Sequence, residues 1–231
     1  MNVLVTGCNG GIGKAICKLF KEKKWNVIGI DIHNEKNNMN IDKYFKTNLI
    51  NENEIINLFK NVKKINCLIN CAAIQICKPI WEYTSKEWDD CYNCNVKSIF
   101  LIIKYGINIF KKFKTNIINI SSIHSSATSK NISCYASTKA CIVGLTKNMA
   151  IDLAEFGIRV NSISPGAINT KMLISHISKD NFEKLKNKHL LKNIGQPKNI
   201  ADTCWFILNN NFINGSNLII DGGILCQLSS E

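Results

Sequence analysis

The 231 residues are 45% hydrophobic and 20% charged, the balance of a globular chain long enough to bury a core without disulfide or metal staples. No apolar run reaches the roughly 18–20 residues that span a bilayer, and the first residues show no basic, cleavable leader, so the expectation is a cytoplasmic protein with no membrane partner. The net charge of +12 comes from Lys almost alone, with Arg159 the single arginine; base readout and bidentate phosphate clamps favour Arg, so nucleic acid is not the expected partner.

In chain order, residues 3–5 read as a strand, 7–13 as a glycine-rich turn and 15–20 as a helix with apolar residues at helical spacing. Residues 25–30 form a second strand ending at Asp31. Strand, helix and strand in about 30 residues are the size of a βαβ unit. Residues 32–43 show no element. A short strand near 44–49 and a helix near 52–63 follow, then a strand at Cys67–Asn70. Residues 86–113 carry Trp88, Cys91, Val96, Phe100, Ile103 and Ile107 at helical spacing, and Asn116–Ile120 is a buried strand. A second long helix at 133–156 is closed by Gly157, and a strand at 158–163 is stopped by Pro165-Gly166. Residues 170–195 are polar and Lys-rich, with anchors at Met172, Leu173 and Leu185. Pro197 opens a helix to about Leu208, and Asn217–Ile220 is the last strand. Strands alternating with helices predict an α/β fold, a doubly wound, Rossmann-like parallel sheet, in one domain over 1–231.

Eleven cysteines, an odd number without a leader, argue against a disulfide framework. Cys91 and Cys94 form the one C-x-x-C. They have no second pair, and His33, His124, His176 and His189 have no ligand spacing, so no metal is expected.

Two groups carry chemistry. In Thr6-Gly7-Cys8-Asn9-Gly10-Gly11-Ile12-Gly13 the glycines let the backbone turn sharply against a pyrophosphate, and the following helix offers free N–H groups and its positive end. The turn follows a strand, opens a helix and precedes Asp31, 18 residues after Gly13. A carboxylate there can accept from ribose hydroxyls or can simply end its strand; the glycines favour the first. In Tyr135-Ala136-Ser137-Thr138-Lys139, Tyr and Lys at i and i+4 share one helix face. An ammonium beside a phenol lowers its pKa and makes an acid/base usable near neutral pH. Ser122, thirteen residues upstream of Tyr135, lies at the carboxyl end of a strand, where open α/β sheets place ligands.

With these residues in place, the chain resembles the short-chain dehydrogenase/reductase family, in its shorter one-domain branch, from end to end. Thr6-Gly7 through Gly11-Ile12-Gly13 matches the family's cofactor motif. Asn70-Cys71-Ala72-Ala73 matches its Asn-Asn-Ala-Gly motif, with departures at the second and fourth places. Asn95 before Val96, then Ser122, Tyr135 and Lys139, fall in the catalytic register, and Pro165-Gly166-Ala167-Ile168-Asn169-Thr170 and Asp221-Gly222-Gly223 match later motifs. Asn48 stands where the family often has an adenine-contacting aspartate.

The resemblance implies an oxidoreductase that passes hydride between NAD, in preference to NADP, and a small alcohol or ketone such as a sugar, polyol or hydroxy acid. It implies Tyr135 as acid/base, Lys139 lowering its pKa and holding the nicotinamide ribose, Ser122 orienting the substrate oxygen, and Asn95 holding a relay water. Gly7, Asn9, Gly11, Ile12, Gly13, Asp31, Asn48, Asn70, Ala72, Pro165, Gly166, Ile168 and Thr170 complete the implied cofactor site. Gln75, His124, Ile168 and Leu173 are candidate substrate walls. Residues 170–195 read as a lid or as a solvated helical hairpin. A homo-oligomer, a tetramer through the two long helices, is expected. The alternatives are a 3-oxoacyl-(acyl-carrier-protein) reductase, which the basic charge suits and Asp31 opposes, and a non-catalytic nucleotide-binding sensor, which the intact catalytic set opposes.

Overall fold

The first strand sets the architecture. In β1 (Asn2–Thr6), Val3 and Val5 point to one side and Leu4 to the other, and all three are fully buried. A strand apolar on both faces belongs inside a sheet covered by helices on both sides. The computed structural model describes residues 1–34, 39–175 and 177–227. Residues 35–38 of the segment read as irregular, and His176 of the expected lid, lie outside them.

After β1 come α1 (Gly11–Glu22), β2 (Asn26–Asp31), β3 (Lys43–Lys46), α2 (Glu52–Asn61) and β4 (Cys67–Asn70). Then follow α3 (Ser85–Tyr92), a π turn (Asn93–Lys97), α4 (Ser98–Phe113), β5 (Asn116–Ile120) and α5 (Ser133–Asp152). The chain continues through β6 (Val160–Pro165), α6 (Lys171–Ile174), α7 (Lys179–Lys188), α8 (Pro197–Asn209) and β7 (Asn217–Ile220). The seven strands pair in parallel in the order β3-β2-β1-β4-β5-β6-β7. The order reverses between β1 and β4, the switch point outside which such sheets bind ligands.

Two cores follow from the alternation. Val3, Val5, Ile69, Ile118 and Ile163 pack against Ile16, Cys17 and Phe20 of α1 and Ile200, Cys204 and Ile207 of α8. Leu4, Ile28, Leu68, Ile117 and Val160 face Ile55 and Leu58 of α2, Leu101, Ile102 and Phe110 of α4, and Ile142 and Met149 of α5. Each fully buried aliphatic or Phe side chain is worth about 1.5–3 kcal/mol. The lone Arg159 works inside this frame: its guanidinium donates to the Ile207, Leu208 and Ile213 carbonyls and so caps the end of α8.

Several elements differ from the expected bounds by a few residues, among them β6, which covers Val160–Pro165 rather than 158–163 and so takes in the proline expected to stop it, and three differ for a local reason. β3 covers Lys43–Lys46 rather than 44–49, because its one partner, β2, ends at Asp31 opposite Lys46. The helix expected to run to 156 stops at Asp152, and a 3-10 turn (Ala154–Phe156) leads to Gly157 at φ +69°. The helix expected over 86–113 begins on a Thr84–Glu87 capping box and is interrupted by the π turn.

Candidate active site

The glycine turn is dictated by close approach. Gly7 has φ +64°, and a Cβ there would stand 2.8 Å from Ala72 Cα. A Cβ on Gly13 would stand 2.2 Å from the Gly7 carbonyl oxygen, so α1 seats directly on the turn. The helix N-cap is Gly10, with no side chain to occupy the first N–H groups, and the first turn holds no acid. Free donors and a positive dipole end suit an anion. Beside them, the buried Asp31 carboxylate accepts the Asn9 N–H at 3.0 Å and the His33 N–H at 3.1 Å. Asn9 Nδ2 donates to the Tyr44 hydroxyl at 3.1 Å, while Asn9 Oδ1 is buried without a partner.

Across the switch point, Thr6 Oγ1 accepts from Cys71 N and Ala72 N, both at 3.0 Å, tying the ends of β1 and β4 together. Asn70 Nδ2 donates to Asn119 Oδ1 at 2.8 Å, and Asn119 Nδ2 to Thr146 Oγ1 at 2.9 Å. One buried polar row thus links β4, β5 and α5. The π turn carries Asn95, which is fully buried. Its Oδ1 accepts the Ile74 N–H at 2.9 Å, and its Nδ2 donates to the Ile74 carbonyl and Thr138 Oγ1, each at 3.0 Å. The amide expected to hold a relay water therefore spends both its hydrogens and one lone pair on the protein. π turns concentrate at functional sites, and here the turn faces α5.

The catalytic register converges at the end of β5. Ser121 Oγ donates to the Lys139 carbonyl at 2.8 Å, and Lys139 Nζ to the Ile120 carbonyl at 2.8 Å. Nζ also lies over the Tyr135 ring, 5.3 Å from its centroid. Ser122, Tyr135 and Lys139 are all buried. The Ser122 hydroxyl acts to lower the Tyr135 phenol, and Ser122 Oγ accepts the His124 N–H at 3.2 Å.

The electrostatics correct one expectation. The Tyr135 phenol is not lowered: burial pushes it up to about 12, and the Ser122 hydroxyl offsets only part of that. Burial likewise pushes Lys139 down to about 8. The cause is placement. The phenol is desolvated by burial, and Lys139 Nζ donates to the Ile120 carbonyl.

At the end of β6, the Gly166 N–H donates to the Ile220 carbonyl at 2.9 Å. Ile168, buried, pairs with Gly195 in a parallel bridge, and the Asn169 and Gly195 amides add bonds at 2.8 and 3.0 Å. The expected lid is thus an excursion closed at its base. Thr170 caps α6 and packs its methyl where a Cβ on Gly11 would come within 2.7 Å. At the far end, the His189 ring lies against Gly222. Asn48, half-buried, uses its Oδ1 to accept the Ile50 N–H at 3.2 Å, leaving Nδ2 as the end that can meet a base. Gln75 and Leu173 are half-buried, and Gln75 follows the clamped Ile74.

The sequence reasoning passed over Thr6, Thr138 and Tyr44. Thr6, next to Gly7 at a strand end, was the legible one, since a hydroxyl there can take the N–H groups of a neighbouring strand. Among the described residues no cluster of three or more metal-ligating side chains occurs, and no helix is long and apolar enough to cross a membrane.

Residues 7–225 match the family described as "Enoyl-(Acyl carrier protein) reductase". The chain is 29% identical to a cyclopentanol dehydrogenase of Comamonas testosteroni, over 96% of this chain and 95% of that protein. It is 32% identical to a 3-oxoacyl-(acyl-carrier-protein) reductase of Buchnera aphidicola subsp. Baizongia pistaciae, over 96% of each. Among solved structures, 4-hydroxyisoleucine dehydrogenase complexed with NADH superposes with a TM-score of 0.91 at 29% identity, covering 98% of this chain and 99% of that one. ElxO with NADP bound superposes with a TM-score of 0.88 at 28% identity, with the same coverage.

Proposed function

The chain belongs to the short-chain dehydrogenase/reductase family, an oxidoreductase exchanging hydride between a nicotinamide cofactor and a small alcohol or ketone, and we propose that it does so with Tyr135 as acid/base and NAD as cofactor. The observation that carries the reading is the convergence of Ser122, Tyr135 and Lys139 at the carboxyl end of β5, beside the switch point that holds the glycine turn.

The residues present fit a dinucleotide. Gly7, Gly11 and Gly13 let the turn pack directly on Ala72, Thr170 and itself, and the N-terminus of α1 that opens from it, at Gly11 and Ile12, carries no side-chain cap, with the orphaned Asn9 Oδ1 in the same turn. Asp31 would take the adenosine ribose hydroxyls, Asn48 the adenine, and Asn70, Ala72, Pro165, Gly166, Ile168 and Thr170 the nicotinamide half. When bound, the nicotinamide supplies the hydride acceptor or donor. Ser122 holds the substrate oxygen through its hydroxyl. Tyr135 takes the hydroxyl proton in oxidation and returns it in reduction. Lys139 would hold the nicotinamide ribose, and its charge would favour the phenolate once Nζ turns from the Ile120 carbonyl. Asn95 positions Ile74 and Thr138, and the second lone pair of Oδ1 is its side-chain site for a relay water.

The excursion over 170–195, closed by the Ile168–Gly195 bridge, serves as a lid on the substrate. Phe100 on α4 and Ile151 on α5 stand exposed on one side, Phe206 on α8 and Ile219 on β7 on another. The two long helices α4 and α5, and the edge formed by α8 and β7, would supply the two-fold contacts of a homotetramer. Light scattering that returned a 26.0 kDa monomer at micromolar concentration would exclude it. Eleven cysteines kept as thiols suit a reducing cytoplasm.

A second reading, reduction of a 3-oxoacyl group carried on an acidic carrier protein, is favoured by the charge of +12. A panel of alcohols, ketones and 3-oxoacyl thioesters, followed by the absorbance of the reduced nicotinamide, separates the two. No turnover by the intact enzyme on any member would overturn the oxidoreductase reading.

A further inference from the structure

The two N–H groups that orient the Asp31 carboxylate are themselves joined by a third residue. The Asn9 N–H holds Oδ2 at 3.0 Å, and the His33 N–H holds Oδ1 at 3.1 Å. The Tyr44 hydroxyl bridges the same two residues: it donates to the His33 carbonyl and accepts from Asn9 Nδ2 at 3.1 Å. These directions are forced. A carbonyl oxygen only accepts, so the phenol hydrogen goes to His33, and the phenol oxygen accepts from the Asn9 amide. Asn9 Nδ2 also donates to the Asn34 carbonyl at 3.4 Å, which fixes the same end of the amide as the donor. Asp31, Asn9, Tyr44 and His33 thus close a ring of four hydrogen bonds across the ends of β2 and β3 and the glycine turn.

Tyr44 keeps its place without the hydroxyl. It stands on β3 opposite Gly29 of β2, and its side chain packs against the core that includes Val5, Cys8 and Ile16. We propose that Tyr44 is a positioning residue for cofactor selection: its hydroxyl locks together the two donors that aim the Asp31 carboxylate, and so sets the preference for NAD over NADP. A carboxylate held at both oxygens keeps its direction when a 2′-phosphate approaches. One whose two donors are loose can turn aside, giving up the ribose hydroxyls and clearing room for the phosphate. A charged group aims well only when the groups that hold it are themselves fixed by packing and hydrogen bonds. This inference rests on the reading of Asp31 as the ribose-binding acid and deepens it.

The test is Tyr44→Phe, which keeps the ring and removes only the hydroxyl, made alone and together with Asp31→Ser. Fluorescence titration with NADH and NADPH gives both dissociation constants without a substrate, and kinetics with the fastest alcohol of the panel give kcat and KM for NAD and NADP. Tyr44→Phe is expected to weaken NADH binding and to lower the NAD-to-NADP ratio by roughly three- to tenfold, with kcat at saturating NAD near that of the intact enzyme. The split is expected because Ser122, Tyr135 and Lys139 meet at the end of β5, away from this ring. In the Asp31→Ser background the same change should no longer lower the ratio, since no carboxylate remains to be aimed. A merely structural hydroxyl would act alike on both cofactors and in both backgrounds. Equal weakening of NADH and NADPH, a lower melting temperature with an unchanged ratio, or an equal fall in the Asp31→Ser background would overturn the inference and leave the role of Asp31 standing. If Asp31→Ser alone left the ratio where it was, both would fall.

Discussion

Asn95 holds Ile74 by both of that residue's own backbone groups, accepting its N–H at 2.9 Å and donating to its carbonyl at 3.0 Å. The same amide reaches Thr138, so the loop after β4 and the helix carrying Tyr135 are fixed to each other through one buried side chain. Asn95→Ala would strand the Ile74 groups and cost about 1–3 kcal/mol. Thermal unfolding should show the loss. Turnover should fall while NADH affinity stays near that of the intact enzyme, since the glycine turn makes no bond to Asn95. A variant with unchanged melting temperature and unchanged kcat would show the clamp to be idle.

Tyr135→Phe removes a hydroxyl and almost no volume. General acid/base groups contribute about 10²–10⁴-fold. Turnover should drop by at least that lower figure, with cofactor binding by NADH fluorescence nearly intact. Retention of more than a tenth of kcat would remove Tyr135 from the role.

Lys139 links stability to pH. Its folded pKa is pushed down to about 8 by burial, below the ordinary lysine value of about 10.4. Below about pH 8 the lysine is charged in both states, and the folded state bears the full cost of burying it. Between about pH 8 and 10.4 the unfolded chain binds a proton that the folded one does not, so stability rises with pH across that window. Tyr135, raised to about 12, acts oppositely and only above about pH 10. Lys139→Met should therefore melt higher than the intact protein at pH 7, and its advantage should shrink towards pH 10, while activity is lost. Scanning fluorimetry at pH 7 and 9.5 reads the difference; an advantage that grows with pH contradicts the argument.

Much of this was legible in the chain because it is written in periodicity and punctuation. The apolar run of β1, the glycine turn and the Tyr135/Lys139 spacing each follow from a local rule. What was not legible depends on three dimensions. The π turn at Asn93–Lys97 adds one residue to a helix whose apolar spacing through 86–113 reads as unbroken; the one hint was Asn95, a polar residue in line with Trp88 and Cys91. The Tyr135 pKa was misjudged because spacing shows that Lys139 is near but not that Nζ is bonded to Ile120. The unpartnered Nδ1 of His124 exists only once the turn after Ser122 has folded over it.

The last prediction concerns the cofactor's second phosphate. NAD should be preferred to NADP by at least tenfold in kcat/KM, which requires only about 1.4 kcal/mol. Asp31 is the reason. Its carboxylate is buried beside the glycine turn and oriented by the Asn9 and His33 N–H groups. Those two bonds leave lone pairs for ribose hydroxyls, and with the adenosine ribose bound there as proposed the carboxylate would stand against a 2′-phosphate, where like charges repel. NADP users of the family offset the phosphate with a basic residue before the second motif glycine or just after the second strand; here those places hold Gly10 and Ile32. Asp31→Ser should narrow the gap in two ways. It removes the charge, and it frees the Asn9 and His33 N–H groups to donate to the phosphate. Side-by-side kinetics with both cofactors settle the matter. Equal efficiency with NADP in the intact enzyme, or an Asp31→Ser variant that leaves the ratio where it was, would show that the carboxylate does not face the ribose.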